Sequence, residues 1–233
     1  IKSKQKQIEH LEKDSVSAPK NLPKNISLRF SEARESGSDV LFAENISKSY
    51  GERKILSDIS FEVKKRDRIM IVGPNGCGKS TLVRILGGLD EDYSGVLRFG
   101  YNVIPGYYDQ EQQTLDNDST VLEEVCRAHD KLTMPVVRSA LASFLFFTED
   151  MDKKVSVLSG GERARLMLCK MILSQINLLI LDEPTNHLDI GSREALEDAL
   201  MQFSGTIIAV SHDRYFVRKL SSKIFDMTSG LRI

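Results

Sequence analysis

The sequence has 233 residues, 41% of them hydrophobic and 28% charged, with a formal net charge of −1. Such a chain is long enough and apolar enough for one large domain, or for a domain with a small subdomain, which excludes a chain too polar to bury a core. The balanced charge excludes a uniformly basic binder of polyanions, so any nucleic-acid contact has to come from a local patch.

The three cysteines, Cys77, Cys126 and Cys169, lie far apart without metal-ligand spacing and read as free thiols of a reducing compartment. No apolar run approaches the roughly 18–20 residues that a membrane span needs. No signal peptide opens the chain. It starts at Ile1 rather than Met, so a longer parent protein is expected.

In chain order, residues 1–24 carry Lys2, Lys4, Lys6, Lys13, Lys20 and Lys24 against Glu9, Glu12 and Asp14, and Ile1, Ile8 and Leu11 share one helical face. Two readings stay open for this stretch: the end of a basic amphipathic helix, or a solvated tail. Pro19 and Pro23 end any helix, Ser36-Gly37-Ser38 marks a loop, and the globular domain is expected from Asp39. Short strands are predicted at Val40–Ile46 and Ile59–Val63 around a turn at Tyr50-Gly51. Another is predicted at Arg68–Val72, with a helix from Lys79 to about Leu86 after it. Further strands are expected at Val96–Phe99 and Val103–Tyr108. A mostly helical stretch runs from about Thr120 to Phe147, interrupted near Pro135, and Gly161–Leu173 has a helical pattern. Leu178–Leu181 and Thr206–Val210 read as buried strands. Alternating strands and helices imply an α/β fold with a mostly parallel core sheet.

Two segments carry phosphate chemistry. Gly73-Pro74-Asn75-Gly76-Cys77-Gly78-Lys79-Ser80-Thr81 fits the pattern G-x-x-x-x-G-K-[ST] between a strand and a helix. Its glycines let successive N–H groups face one anion, the helix N-terminus adds partial positive charge, Lys79 reaches β- and γ-phosphates, and the Ser80 hydroxyl suits Mg²⁺. Cys77 stands at a variable position of the pattern and is given no redox role. Leu178–Leu181 ends in Asp182 and Glu183. This strand is expected beside the phosphate-loop strand, with Asp182 holding Mg²⁺ and Glu183 polarising the attacking water as general base.

Leu158-Ser159-Gly160-Gly161-Glu162, opening a helix, resembles the signature motif of ABC ATPases. The resemblance implies that Ser159, Gly160, Gly161 and Glu162 bind the γ-phosphate of ATP held by a different ABC domain, two domains sandwiching two nucleotides head to tail. It also implies that Tyr50 stacks on adenine and that Gln110 is the Q-loop glutamine sensing Mg²⁺ and the γ-phosphate. Asp189 would end the D-loop, and His212 would be the switch histidine. The matched motifs cover residues 40–233. The expected architecture is therefore an ABC-type P-loop nucleotide-binding domain: mostly parallel core sheet, antiparallel β subdomain, and a small helical subdomain over about 113–174.

Two longer strings, Glu183-Pro184-Thr185-Asn186-His187-Leu188-Asp189 and Ser211-His212-Asp213-Arg214-Tyr215-Phe216, resemble the ABC-F proteins, ATPases that act on ribosomes. In that family two ABC domains share one chain, joined by a charged helical linker that contacts the exit-site transfer RNA. The resemblance recasts residues 1–38 as the end of that linker plus a connector, with lysines suited to ribosomal RNA phosphates, and residues 39–233 as the second ABC domain. Its cofactors would be ATP and Mg²⁺, its partners a second ABC domain and the ribosome, its location cytoplasmic without membrane insertion. Antibiotic resistance and an ordinary role in translation both stay open. So do a self-pairing half-size ATPase, the ATPase subunit of a membrane transporter, and a nucleotide-gated module with little hydrolysis of its own.

Overall fold

In the computed structural model, residues 35–109, 115–174, 176–186 and 188–232 are described, 109 and 230–232 by backbone alone. The expected linker helix over 1–24, Gln110 and His187 lie outside these residues.

The chain enters as a long hairpin. Strand β1 (Asp39–Tyr50) pairs antiparallel with β2 (Arg53–Lys64), closed by a turn at Gly51-Glu52 in which Gly51 has φ +58°, and β4 (Ser94–Phe99) flanks β1 on its other edge. Both hairpin strands run longer than the alternation suggests. The extra half of β1 is polar, and its pairing with β2 is irregular: β2 carries an extra residue between the partners of Ile46 and Lys48 and another between those of Lys48 and Ser49. A bulge breaks the two-residue period on which a strand is recognised.

A second sheet has the order β5–β6–β7–β3–β8–β9, formed by Pro105–Asp109, Leu178–Asp182, Thr206–Val210, Arg68–Val72, Lys223–Asp226 and Gly230–Arg232 respectively. Its first five strands are parallel and β9 is antiparallel at the edge. This order corrects one expectation: β7 lies between the acidic strand β6 and the phosphate-loop strand β3. Helix α1 (Lys79–Leu86) packs across β6 and β7, so its first turn still reaches the end of β6.

The three central strands, β6, β7 and β3, are buried on both faces, as their continuous apolar runs require. Alternate residues serve two cores. Ile69, Ile71, Leu178, Ile180, Ile208 and Val210 pack with α1 and the antiparallel sheet. Met70, Leu179, Leu181, Ile207 and Ala209 pack with the helices of the opposite layer.

That layer holds α2 (Val121–Ala128), α3 (Met134–Ser143), α4 (Thr148–Met151), a 3₁₀ turn (Val155–Val157), α5 (Gly160–Leu173), α6 (Ile190–Gln202) and α7 (Arg214–Leu220). Pro135 lies in the first turn of α3 rather than breaking a helix; the interruption is the preceding 129–133 segment. Proline fits the first helical turn because the N–H it lacks has no helical partner there. Sequence patterning leaves α6, α7, β8 and β9 unassigned. The buried stripe of α6 is partly alanine (Ala195, Leu196, Ala199, Leu200) and α7 has seven residues, so neither carries a strong periodic signal.

Candidate nucleotide site

The loop from Gly73 to Gly78 joins the end of β3 to α1. Its glycines Gly73, Gly76 and Gly78 have φ of +155°, +76° and +96°, backbone that L side chains rarely adopt. At Gly78 space is short as well: a Cβ would lie 2.7 Å from Leu56 Cδ2 and 2.9 Å from Ile55 Cγ2. Helix α1 has no side-chain cap and no acidic residue in its first turn. Its free N–H groups therefore face outward with the helix dipole, an arrangement that suits an anion. Lys79 is buried inside the curl, where its ammonium donates to the carbonyls of Gly73 (3.0 Å) and Pro74 (2.9 Å). Asn75 and Ser80 are exposed, Cys77 and Thr81 half-buried.

Ser80 Oγ donates to Asp182 Oδ1 at 3.2 Å, which brings the phosphate loop and the acidic strand end together. A hydroxyl beside a single carboxylate fits Mg²⁺, which takes hard oxygen ligands and keeps water and phosphate oxygens in its remaining positions. No group of three or more His, Cys, Asp or Glu that could hold a metal is found among the described residues.

Glu183 has φ +47°, a left-handed backbone for a non-glycine residue, and its N–H is tied to Val210 O at 3.0 Å. Such strain persists where surrounding contacts impose it, often at functional sites. It turns the carboxylate toward the loop after β7: His212 N–H donates to Glu183 Oε2 at 3.2 Å, and His212 Nε2 lies 3.3 Å from Oε1. Thr185 and Ser211, both buried, are 3.4 Å apart behind this pair.

The Ser159–Glu162 segment caps α5. Ser159 Oγ accepts from Glu162 N–H at 3.3 Å and Glu162 Oε2 accepts from Ser159 N–H at 2.7 Å, a reciprocal capping box. A Cβ on Gly160 would meet nothing within 4 Å, whereas one on Gly161 would lie 3.5 Å from an Asp189 carboxylate oxygen. Asp189 caps α6, accepting from Ser192 N–H at 2.9 Å and Ser192 Oγ at 2.7 Å, and these bonds hold its carboxyl below the usual carboxylate range. The structure thus assembles two groups: Gly73–Ser80 with Asp182, Glu183 and His212, and Ser159–Glu162 with Asp189.

Tyr50, at the tip of β1, is half exposed, and its hydroxyl donates to Asp90 Oδ2 at 3.2 Å. Two participants escaped sequence reading. Lys48 packs under the Tyr50 ring; its place two residues earlier, on the same strand face, was the available signal. Arg193 on α6 pairs with Asp213 at 2.8 Å, and Asp213 also caps α7 through Tyr215 and Phe216 N–H. Nothing local announces a contact between residues that far apart in sequence.

A family model described as ABC transporter matches residues 56–186. The chain is 39% identical over 228 residues to ABC transporter F family member 5 of Arabidopsis thaliana, covering 97% of this chain and 33% of that protein. It is 40% identical over 229 residues to the putative ATP-binding protein YdiF of Bacillus subtilis, covering 98% and 35%. Against the energy-dependent translational throttle protein EttA of Escherichia coli K12 the values are 42% over 194 residues, 82% and 35%. The chain thus spans about a third of the length of the curated relatives it matches. Among solved structures, a nucleotide-free ATP-binding cassette from an ABC transporter superposes with a TM-score of 0.66 at 24% identity, over 81% of this chain and 87% of that one.

Proposed function

The chain belongs to the ABC transporter family, as a nucleotide-binding domain of its F branch, and from this premise we propose that it binds and hydrolyses ATP with Mg²⁺ while paired head to tail with a second domain of the same kind. The observation that carries the proposal is the convergence of Ser80, Asp182, Glu183 and His212 at the mouth of the glycine loop. Lys79 and the α1 N-terminus hold the β- and γ-phosphates. Ser80 and Asp182, with Gln110, are the residues that would hold the metal, which when bound neutralises charge on the phosphoryl oxygens. Glu183 takes the proton of the attacking water, and His212 keeps its carboxylate aimed. Tyr50 carries the adenine.

Ser159, Gly160 and Gly161 serve the γ-phosphate of the opposite domain's ATP, and Asp189 lies against that junction. The open space over Gly160 supports this reading, because a phosphate needs close backbone approach. The domain is then half of each of two sites, and closure runs on ATP binding the paired state more tightly than the open one. The test is ATP turnover of this chain at rising protein concentration. Turnover per molecule should climb as pairs form, and a flat profile would overturn the split site.

For the biological role we favour the second ABC domain of a cytoplasmic translation factor or ribosome-protection protein. The translational throttle among its relatives supports this, as does the lysine-rich stretch over 1–24, read as the end of a linker that meets ribosomal RNA and exit-site transfer RNA. No helix among the described residues is long and apolar enough to cross a membrane. Sedimentation of the full-length parent with ribosomes under ATP is the expected result; sedimentation with membranes would favour a transporter subunit instead.

A further inference from the structure

The base of the Tyr50 ring is built as carefully as the phosphate loop. Lys48 is 4% exposed, and a buried lysine needs opposite charge to offset its lost hydration. Its ammonium lies 2.9 Å from Asp90 Oδ1 and 3.1 Å from Asp92 Oδ2, and it also donates to the Asp92 carbonyl. The same nitrogen sits 4.9 Å from the Tyr50 ring centroid. Asp90 Oδ2 accepts from the Tyr50 hydroxyl at 3.2 Å, and Asp90 Oδ1 accepts from Asp92 N–H at 3.1 Å. The ring is thus held at its hydroxyl end and from beneath, while it stays 53% exposed. The carboxylates come from the loop that leaves α1, the helix opened by Lys79 and Ser80. Base platform and phosphate loop are therefore joined through the two ends of α1.

We propose that Lys48, clamped by Asp90 and Asp92, is a positioning residue that sets Tyr50 as a preformed platform for the purine base of a nucleoside triphosphate. This rests on the reading of Tyr50 as the base-stacking residue. Two effects follow from the geometry. A ring fixed before the ligand arrives loses little side-chain entropy on binding. A cation under one face draws π-density toward itself, which leaves the outer face less negative and better suited to an electron-rich purine.

The experiment compares the binding of ATP with that of inorganic triphosphate, which shares the phosphates and lacks the base. Lys48→Gln should weaken ATP about tenfold and leave inorganic triphosphate within about twofold. Lys48→Arg should recover most of the loss. In a Tyr50→Leu background Lys48→Gln should add nothing, since the platform it serves is gone. Asp90→Asn, which keeps the loop's shape and removes one clamp charge, carries the same expectation if Lys48→Gln does not fold. Unchanged ATP affinity in Lys48→Gln would overturn the proposal. So would equal losses for both ligands, or an undiminished loss in the Tyr50→Leu background. A parent chain that binds neither ligand would instead remove the nucleotide reading beneath it.

Discussion

At the residue scale, the site relies on conformations that each side chain could not adopt alone. Glu183 sits in left-handed backbone because the Val210 carbonyl holds its N–H and the His212 backbone holds its carboxylate. Glu183→Gln keeps an acceptor for His212 N–H, so thermal stability should stay within about 0.5 kcal/mol. Removing the proposed base should cut turnover of the paired domain about 10²- to 10⁴-fold while ATP binding persists. Turnover at the parent rate would show that Glu183 is not the base. Gly78 is the converse case. Gly78→Ala faces both a φ of +96° and contacts near 2.7 Å with Leu56, so it should lose about 1–3 kcal/mol on thermal unfolding and lose ATP affinity with it. An alanine variant as stable as the parent would mean that the loop relaxes freely.

At the element scale, helix ends do two jobs that substitution can separate. Ser159 caps α5 and stands where the opposite domain's phosphate is proposed to bind. Aspartate is as good an N-cap as serine, so Ser159→Asp should hold stability within about 0.5 kcal/mol. Its negative charge should nevertheless block ATP-driven pairing, seen as loss of the concentration-dependent dimer. Pairing at parent affinity would detach Ser159 from the phosphate.

Acid sensitivity belongs to this scale too. Asp116 binds Ser119 Oγ, then Arg127 and Asp118 N–H, which lowers its pKa from 3.8 to about 2. A folded pKa below the unfolded one contributes stability above pH 3.8 that is lost as pH falls toward about 2. Asp116→Asn should therefore flatten the acid limb of the stability profile for the helical layer. An unchanged limb would assign acid unfolding to other carboxylates.

At the scale of the whole molecule, five parallel strands separate two cores, and those of them that deliver a site residue end on the same edge. Ligand crevices in such sheets lie beyond the carboxyl ends of the strands. Here β3 leads into the glycine loop, β6 ends in Asp182, and β7 runs into Ser211 and His212. Ile180, central in β6 and fully buried, faces the core of α1 and the antiparallel sheet. Ile180→Ala should cost about 2–5 kcal/mol in chemical denaturation. A loss below about 1 kcal/mol would mean that this core collapses around the gap.

The sequence by itself determined what local chemistry can announce. The phosphate loop, the apolar strand ending in two acids and the glycine-rich helix start each need particular residues at fixed spacing, so the pattern is the physical requirement. The three buried central strands, β3, β6 and β7, were legible as well, as unbroken apolar runs. Tertiary structure alone decided strand order: β7 separates β6 from β3, and packing of α1 across β6 and β7, invisible in either, brings Ser80 to Asp182. It also decided the partners of Lys48 and Arg193, because salt bridges between distant segments leave no periodic trace. Helices α6 and α7 went unread because the buried stripe of α6 is partly alanine and α7 is only seven residues long. Motif chemistry is local, whereas the neighbours that orient it are chosen by how the sheet closes over two cores.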